Sequence, residues 1–474
     1  MAPKFGTSGL RGLVVDLTPD LVGGYVDAFL AHVQSCADDD VKALHLGRDL
    51  RDSSVELAQV VRDTALAAGV DVVDCGVLPT PALALASIAA GTCAIMVTGS
   101  HIPADRNGLK FFLASGEISK ADEQAIQTGF ETGATPRPVA NPGQSLKDSQ
   151  AIHRFSERCR TAFGAEALAG LRIGVYQHSS AARDMIGPAL EALGATTVPL
   201  ARSDIFIPVD TEAVDPGTRE MLVGWCRDQR LDAVVSTDGD ADRPMLTDAA
   251  GQLVPGDVLG VITARLLGAR VIVTPISSCS MVGEMPCFET VQLTRIGSPF
   301  VIARMEEQMA AASADTVVVG FEANGGFLLG NTARGPGGAL GPLMTRDFLL
   351  PIVATLTEAR RAGGVRALAD ELPARFTAAD RLQEVPRPAM EAALALLEEP
   401  HALGSFLTPR QVATINRMDG LRITLDDGDV VHLRPSGNAP EMRIYADAGS
   451  AECAQELVRE YKARLNRLIS KFPA

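Results

Sequence analysis

The sequence is expected to fold as an α/β protein. It reads as three related α/β domains with mixed sheets around a central cleft, followed by a smaller α+β domain at the C-terminal end. Two observations carry this expectation. First, a short apolar, β-branched run leads directly into a polar, glycine-containing loop at three places: Ala94-Ile95-Met96-Val97 into 98–101, Ala233-Val234-Val235 into 237–243, and Thr316-Val317-Val318-Val319 into 320–326. Each run follows helical sequence and an earlier apolar strand, and sheets built this way place ligand loops at the carboxyl ends of their strands. Second, the pattern changes after Pro386, where hairpin signals replace the strand–helix alternation.

Taken in order, the first unit spans 1–142. Its early strand is 43–46, and residues 75–100 carry no charged side chain. Such a stretch superficially resembles a membrane span. Pro79, Pro81 and Gly91 break it, however, so it reads as a buried helix after Pro81, a turn at Gly91 and a strand over 93–98. A Pro- and Gly-rich linker over 134–144 closes the unit. The second unit, 143–255, pairs strand 173–175 with 233–235, and a weaker boundary falls at Pro255-Gly256. The third, 256–375, pairs 271–273 with 316–319. In the last, 376–474, strands over 421–425 and 430–434 flank a turn at Asp427-Gly428, and a third strand covers 442–446. A helix follows, with Leu457, Tyr461, Leu465 and Leu468 on one face. A chain of 474 residues suits this division into several domains.

Composition narrows the function. With 46% hydrophobic and only 21% charged residues, the chain can fill several cores and is not a disordered polymer. A net charge of −15 argues against nucleic acid or an anionic membrane as partner. An anionic small molecule would have to be met by a local basic cluster. The eight cysteines are scattered, so their spacing suggests neither a disulfide framework nor a zinc site. Together with an N-terminus lacking an apolar leader, this points to the cytoplasm.

Asp238, Asp240 and Asp242 place a charge of about −3 in one tight loop, which a hard cation would neutralise through oxygen ligands. An EF-hand would need Gly and Glu where Arg243 and Ala249 stand. Arg243 beside the triplet suits a bound phosphate. Ser100, in a small-residue loop past a strand end, can act as a phosphoryl acceptor given a base and a cation, and His101 and Lys110 are nearby for proton transfer. Glu322 and Asn324, among glycines, can hold vicinal hydroxyls of a sugar. Arg434, Ser436, Gly437, Asn438 and Arg443 suit a phosphate dianion.

In order and content these loops resemble the α-D-phosphohexomutase superfamily, in particular its bacterial phosphomannomutase branch. The resemblance spans nearly the whole chain, from Lys4-Phe5-Gly6-Thr7-Ser8-Gly9-Leu10-Arg11-Gly12 through the Ser100, aspartate and Glu322 loops to the stretch 434–445. It implies a phosphoserine at Ser100 and one Mg²⁺ held by Asp238, Asp240, Asp242 and a phosphoserine oxygen. Arg11 and Lys110 would lie near the transferring phosphoryl group, Glu322 on the hydroxyls, and the Arg434 loop on the phosphate that does not react. The implied activity is interconversion of hexose 1- and 6-phosphates, primed by a hexose 1,6-bisphosphate, in a monomer or homodimer. Phosphoglucomutase and phosphoglucosamine mutase are the nearest alternatives, and a non-catalytic phosphosugar binder a more distant one. Two positions depart from the family. The family's sugar loop usually reads Gly-Glu-x-Ser-Gly, whereas here Glu322 is followed by Ala323 and Asn324, and Gly326 stands where some members carry a histidine, which shifts the proton-transfer role toward Lys110 and His101.

Overall fold

The computed structural model describes residues 3–6, 9–37, 41–137, 141–436 and 440–472. Three sheets repeat one arrangement. In each, parallel strands end in a strand that enters a polar loop and is followed by an antiparallel return. These strand–return pairs are Cys93–Val97 with Arg106–Leu113, Ala233–Thr237 with Pro244–Leu246, and Val318–Phe321 with Phe327–Leu329. The three sheets are thus related and mixed.

The first sheet runs Lys4–Phe5, Leu10–Leu13, Arg106–Leu113, Cys93–Val97, Ala43–Arg48, Asp71–Val77, Ser145–Lys147. Cys93–Val97 is buried throughout, as its unbroken apolar sequence requires of a strand covered on both faces. Thr80–Ala90 forms the helix expected after the proline pair, and Gly91, at φ 66°, ends it in the left-handed conformation. Of the linker over 134–144, residues 138–140 lie outside the described residues. The second sheet centres on Arg172–His178 and Ala233–Thr237, the third on Val271–Pro275 and Val318–Phe321. The last of these strands starts two residues later than its apolar run, because the Thr316 N–H donates to Ser313 O and closes a turn there.

One apolar core runs through all three units, joining Leu83, Phe155, Ile173, Ile272 and Phe348. Glu117 adds a polar tie between the first and third, accepting from Ser298 Oγ at 2.9 Å and Thr345 Oγ1 at 2.6 Å. The C-terminal module has a core of its own. Its five-stranded antiparallel sheet runs Phe376–Leu382, Met442–Ala448, Val430–Pro435, Leu421–Leu425, Val412–Asn416. The helix Ala451–Ile469 buries Leu457, Tyr461, Leu465 and Ile469. Leu468 is only half-buried, since the position four residues after Leu465 continues the stripe. Among the described residues, all eight cysteines are free and no helix is long and apolar enough to cross a membrane.

Candidate active site

The loop after Cys93–Val97 holds Ser100 at φ 53°, a left-handed conformation that a non-glycine residue adopts only when its surroundings enforce it. Several contacts do so. The Ser100 N–H donates to Thr98 Oγ1 at 2.8 Å, and Thr98 Oγ1 donates to the buried Asp49 at 2.7 Å. Arg51, itself buried, donates to four loop carbonyls: Ser100 and Ile102 at 2.8 and 2.6 Å, Pro103 and Arg106 at 2.7 and 2.8 Å. Its guanidinium stacks on Phe206, 4.0 Å from the ring centre, which fixes the first unit against the second. Gly99 is required by this packing, because a Cβ there would lie 2.6 Å from Arg51 Cζ.

Held this way, Ser100 Oγ donates to Asp238 Oδ2 at 2.6 Å, and His101 Nδ1 lies 3.3 Å from Ser100 Oγ. Burial first, then the Arg243 and Arg11 guanidiniums, hold His101 well below the usual imidazole range. Asp238, Asp240 and Asp242 are all buried, and a carboxylate oxygen of each lies within 4.8 Å of the others. Lys110 enters from the return strand, where it pairs in register with Met96, and its Nζ sits 2.5 Å from both Asp240 Oδ2 and Asp242 Oδ2. Thr80 Oγ1 also donates to Asp240 Oδ2, at 2.6 Å. Burial would raise Asp242, but Arg346, Lys110 and Arg243 hold it below the usual carboxylate range. Asp238 moves the other way, raised by burial and then by its two aspartate neighbours.

These residues fit a hard divalent cation. The donors are oxygens only, and the buried Oδ1 atoms of Asp240 and Asp242 have no hydrogen-bond partner. A buried carboxylate oxygen left so is costly unless a cation takes it.

The aspartate and serine loops border an arginine-rich cavity. Arg11, His101, Arg243, Glu322, Asn324 and Arg434 line it, together with Ser436 and Arg443. Ser100, Lys110 and the aspartates lie behind that lining, almost wholly buried. Burial, then Arg243, with Arg346 contributing and Asp240 and Asp242 opposing, pushes the Arg11 guanidinium down to about 10. In the C-terminal sheet, Arg443 lies opposite both Arg434 and Arg381 in register. Like charges directly opposite repel, and Glu441, 3.5 Å from Arg381 and 4.0 Å from Arg443, offsets part of that repulsion. Asp419 Oδ1 accepts from Arg434 Nε at 2.8 Å and fixes its direction.

Glu322 is buried, with Oε1 3.5 Å from Arg346. Asn324 commits Oδ1 to the Gly326 N–H at 2.9 Å, so its amide nitrogen is the polar group left for a ligand. Gly437 and Asn438 lie outside the described residues. Sequence reasoning passed over Arg346, which joins Asp242 at 2.6 Å to Glu322 and so ties the aspartate loop to the Glu322 loop. It also passed over Arg51, Thr80 and Arg381. A charged residue inside the buried strand Leu343–Asp347 was the one available signal for Arg346.

Fold and cleft thus define an α/β protein with a buried aspartate cluster that could hold a metal ion, beside an arginine-lined cavity. Residues 2–137 match phosphoglucomutase/phosphomannomutase alpha/beta/alpha domain I, and residues 152–251 match domain II. A phosphomannomutase of Sinorhizobium fredii is 45% identical over 478 residues, covering 98% of this chain and 99% of its own. One from Salmonella muenchen is 39% identical over 474 residues, covering 99% and 96%. A crystal structure of a phosphoglucomutase/phosphomannomutase family protein from Burkholderia thailandensis shares the fold at TM-score 0.77 and 20% identity, covering 98% and 97%. The chain belongs to the phosphoglucomutase/phosphomannomutase family.

Proposed function

We propose that this chain is a phosphohexomutase that interconverts hexose 1-phosphate and hexose 6-phosphate, preferring mannose and accepting glucose, through phospho-Ser100 and a hexose 1,6-bisphosphate. The observation that carries the reading is the contact of Ser100 Oγ with Asp238, in a pocket with two carboxylate oxygens that accept no hydrogen bond, behind an arginine-lined cavity in an otherwise acidic protein.

Asp238, Asp240, Asp242 and a phosphoserine oxygen would hold one Mg²⁺, which supplies neutralisation of charge on the transferring phosphoryl group. In the first transfer, the free hydroxyl oxygen of the sugar bonds to phosphorus as the bond from phosphorus to Ser100 Oγ breaks. His101 or Lys110 takes up the hydroxyl proton. Of the two, His101 is the one next to Ser100 Oγ, whereas Lys110 donates to two aspartates. The bisphosphate then turns end for end, and Ser100 accepts the other phosphate. Arg11 and Arg243 hold the reacting phosphoryl group. Arg434, Ser436, Gly437, Asn438 and Arg443 hold the other phosphate. Glu322 and Asn324 orient the 3- and 4-hydroxyls. These hydroxyls are alike in mannose and glucose, so the Glu322 loop has no strong means of rejecting either epimer.

The four structural units are assigned to 1–142, 143–255, 256–375 and 376–474, each bringing one loop to the cleft, with Ser145–Lys147 of the second lending the last strand of the first sheet. A trace of hexose 1,6-bisphosphate would prime the unphosphorylated protein. The test is parallel turnover of mannose, glucose and glucosamine 1-phosphates with Mg²⁺ and that primer. Mannose 1-phosphate should be converted fastest; a glucosamine preference, or release of inorganic phosphate alone, would overturn the assignment.

A further inference from the structure

A second cluster of ligating side chains lies on the outer face of the first unit. His32 and Cys36 stand four residues apart on the helix Pro19–Ala37, so both project from one face. Asp122, in the first turn of the helix Lys120–Thr132, meets them there. His32 Nε2 is 2.8 Å from Asp122 Oδ1 and 3.5 Å from Cys36 Sγ, and ligand atoms of all three lie within 4.8 Å of one another.

We propose that His32, Cys36 and Asp122 form a transition-metal site, with zinc as the ion it fits, clipping the two helices together. The donor set is one imidazole nitrogen, one sulfur and one carboxylate oxygen, which suits zinc and discriminates against magnesium. This sets it apart from the oxygen-only aspartate pocket. Three protein ligands leave a fourth position for water. Binding replaces the thiol proton with the metal and releases that proton to solvent.

The ligands are already oriented. Asp122 Oδ2 is occupied by the Ser119 N–H and hydroxyl, both at 2.7 Å, so Oδ1 is the oxygen turned to His32. The two helices are locked beside the site by Tyr25, which donates to Gln127 at 2.8 Å and stacks on Phe130 at 4.0 Å. Side-chain exposure of 13% for His32 and 18% for Asp122, with Cys36 exposed, leaves a path for an ion to enter. Cysteine spacing alone does not reveal the site, because Asp122 comes from a helix distant in sequence.

The experiment titrates the full chain, in excess Mg²⁺ to fill the oxygen pocket, with Co²⁺ as the spectroscopic stand-in for zinc. One equivalent should produce a thiolate-to-cobalt charge-transfer band, which Zn²⁺ then bleaches. Cys36→Ser and His32→Gln should each abolish the band, while Cys287→Ser, at the other exposed cysteine, keeps it. Zn²⁺ should also slow amide exchange at 30–36 and 120–124 in the native chain and not in His32→Gln. His32→Gln keeps the thiol and carries the test alone should Cys36→Ser fold poorly. No band in the native chain, or a band that survives both His32→Gln and Cys36→Ser, would overturn the proposal.

Discussion

Arg51 is the residue on which the geometry of the serine loop most depends, and Arg51→Lys tests that dependence. The guanidinium donates to four loop carbonyls, the buried one of Ser100 and the part-buried ones of Ile102, Pro103 and Arg106, and its Nε lies 3.3 Å from Asp49 Oδ2 as an ion pair. A lysine ammonium has three donors and no planar fork. At best, one of the four carbonyls is then left unpaired. At about 1–3 kcal/mol for such a group, the local loss is about 1–3 kcal/mol. Ser100 is held at a positive φ by these same bonds, so the loop should relax before the rest of the fold does. A displacement of about 1 Å at a reacting group costs about a hundredfold in rate. Arg51→Lys should therefore lower kcat about 30- to 100-fold with KM little changed, because the cavity arginines proposed to bind the sugar phosphate are untouched. Amide exchange should accelerate over 98–106 and stay as in the native chain over 421–448. A kcat within threefold of native, with unchanged exchange over 98–106, would refute the argument.

Asp240→Asn should weaken Mg²⁺ binding and lower activity about a hundredfold, read from a Mg²⁺ titration; full turnover in excess chelator would move the cation elsewhere. Glu322→Ala should impair mannose and glucose phosphates to a similar degree, and selective loss of one would show that this loop reads the 2-hydroxyl. His432 gives a pH dependence of stability. Burial pushes its imidazole down to about 4, only partly offset by its hydrogen bond to the Asp419 carbonyl, with Arg422 and Arg434 also near. The unfolded ring titrates near 6.5, so the unfolded state takes up the proton first. The contribution is complete above about pH 6.5 and is lost as pH falls through about 4, about 3 kcal/mol in all. Exchange protection over 421–448 should fall across that window, less steeply in His432→Gln; identical slopes would contradict the assignment.

The loops were legible in the sequence for a physical reason. Ser100, the aspartate triplet and Glu322 each follow an apolar β-branched run, and a polar cluster at that place cannot continue the core. Lys110 was legible because it interrupts an apolar strand beside the serine loop. Arg51 was not, since its surroundings in the sequence, Gly-Arg-Asp-Leu-Arg-Asp-Ser-Ser, read as a solvated turn. Only tertiary contact brings four carbonyls around it. Arg381 was hidden similarly, on an edge strand whose residues are mostly exposed and show no apolar period. The same lack of a buried face left the strand Val412–Asn416 unread.

The central claim is that Ser100 carries the phosphoryl group, and intact-protein mass measured alongside turnover tests it most directly. Native protein incubated with hexose 1,6-bisphosphate and Mg²⁺ should gain one phosphate, located to the peptide containing Ser100, and should convert mannose 1-phosphate to mannose 6-phosphate. Ser100→Ala should show no adduct and a rate lower by several powers of ten, because the covalent carrier is gone. Turnover by Ser100→Ala within tenfold of native, or a phosphate found on another residue, would contradict the account.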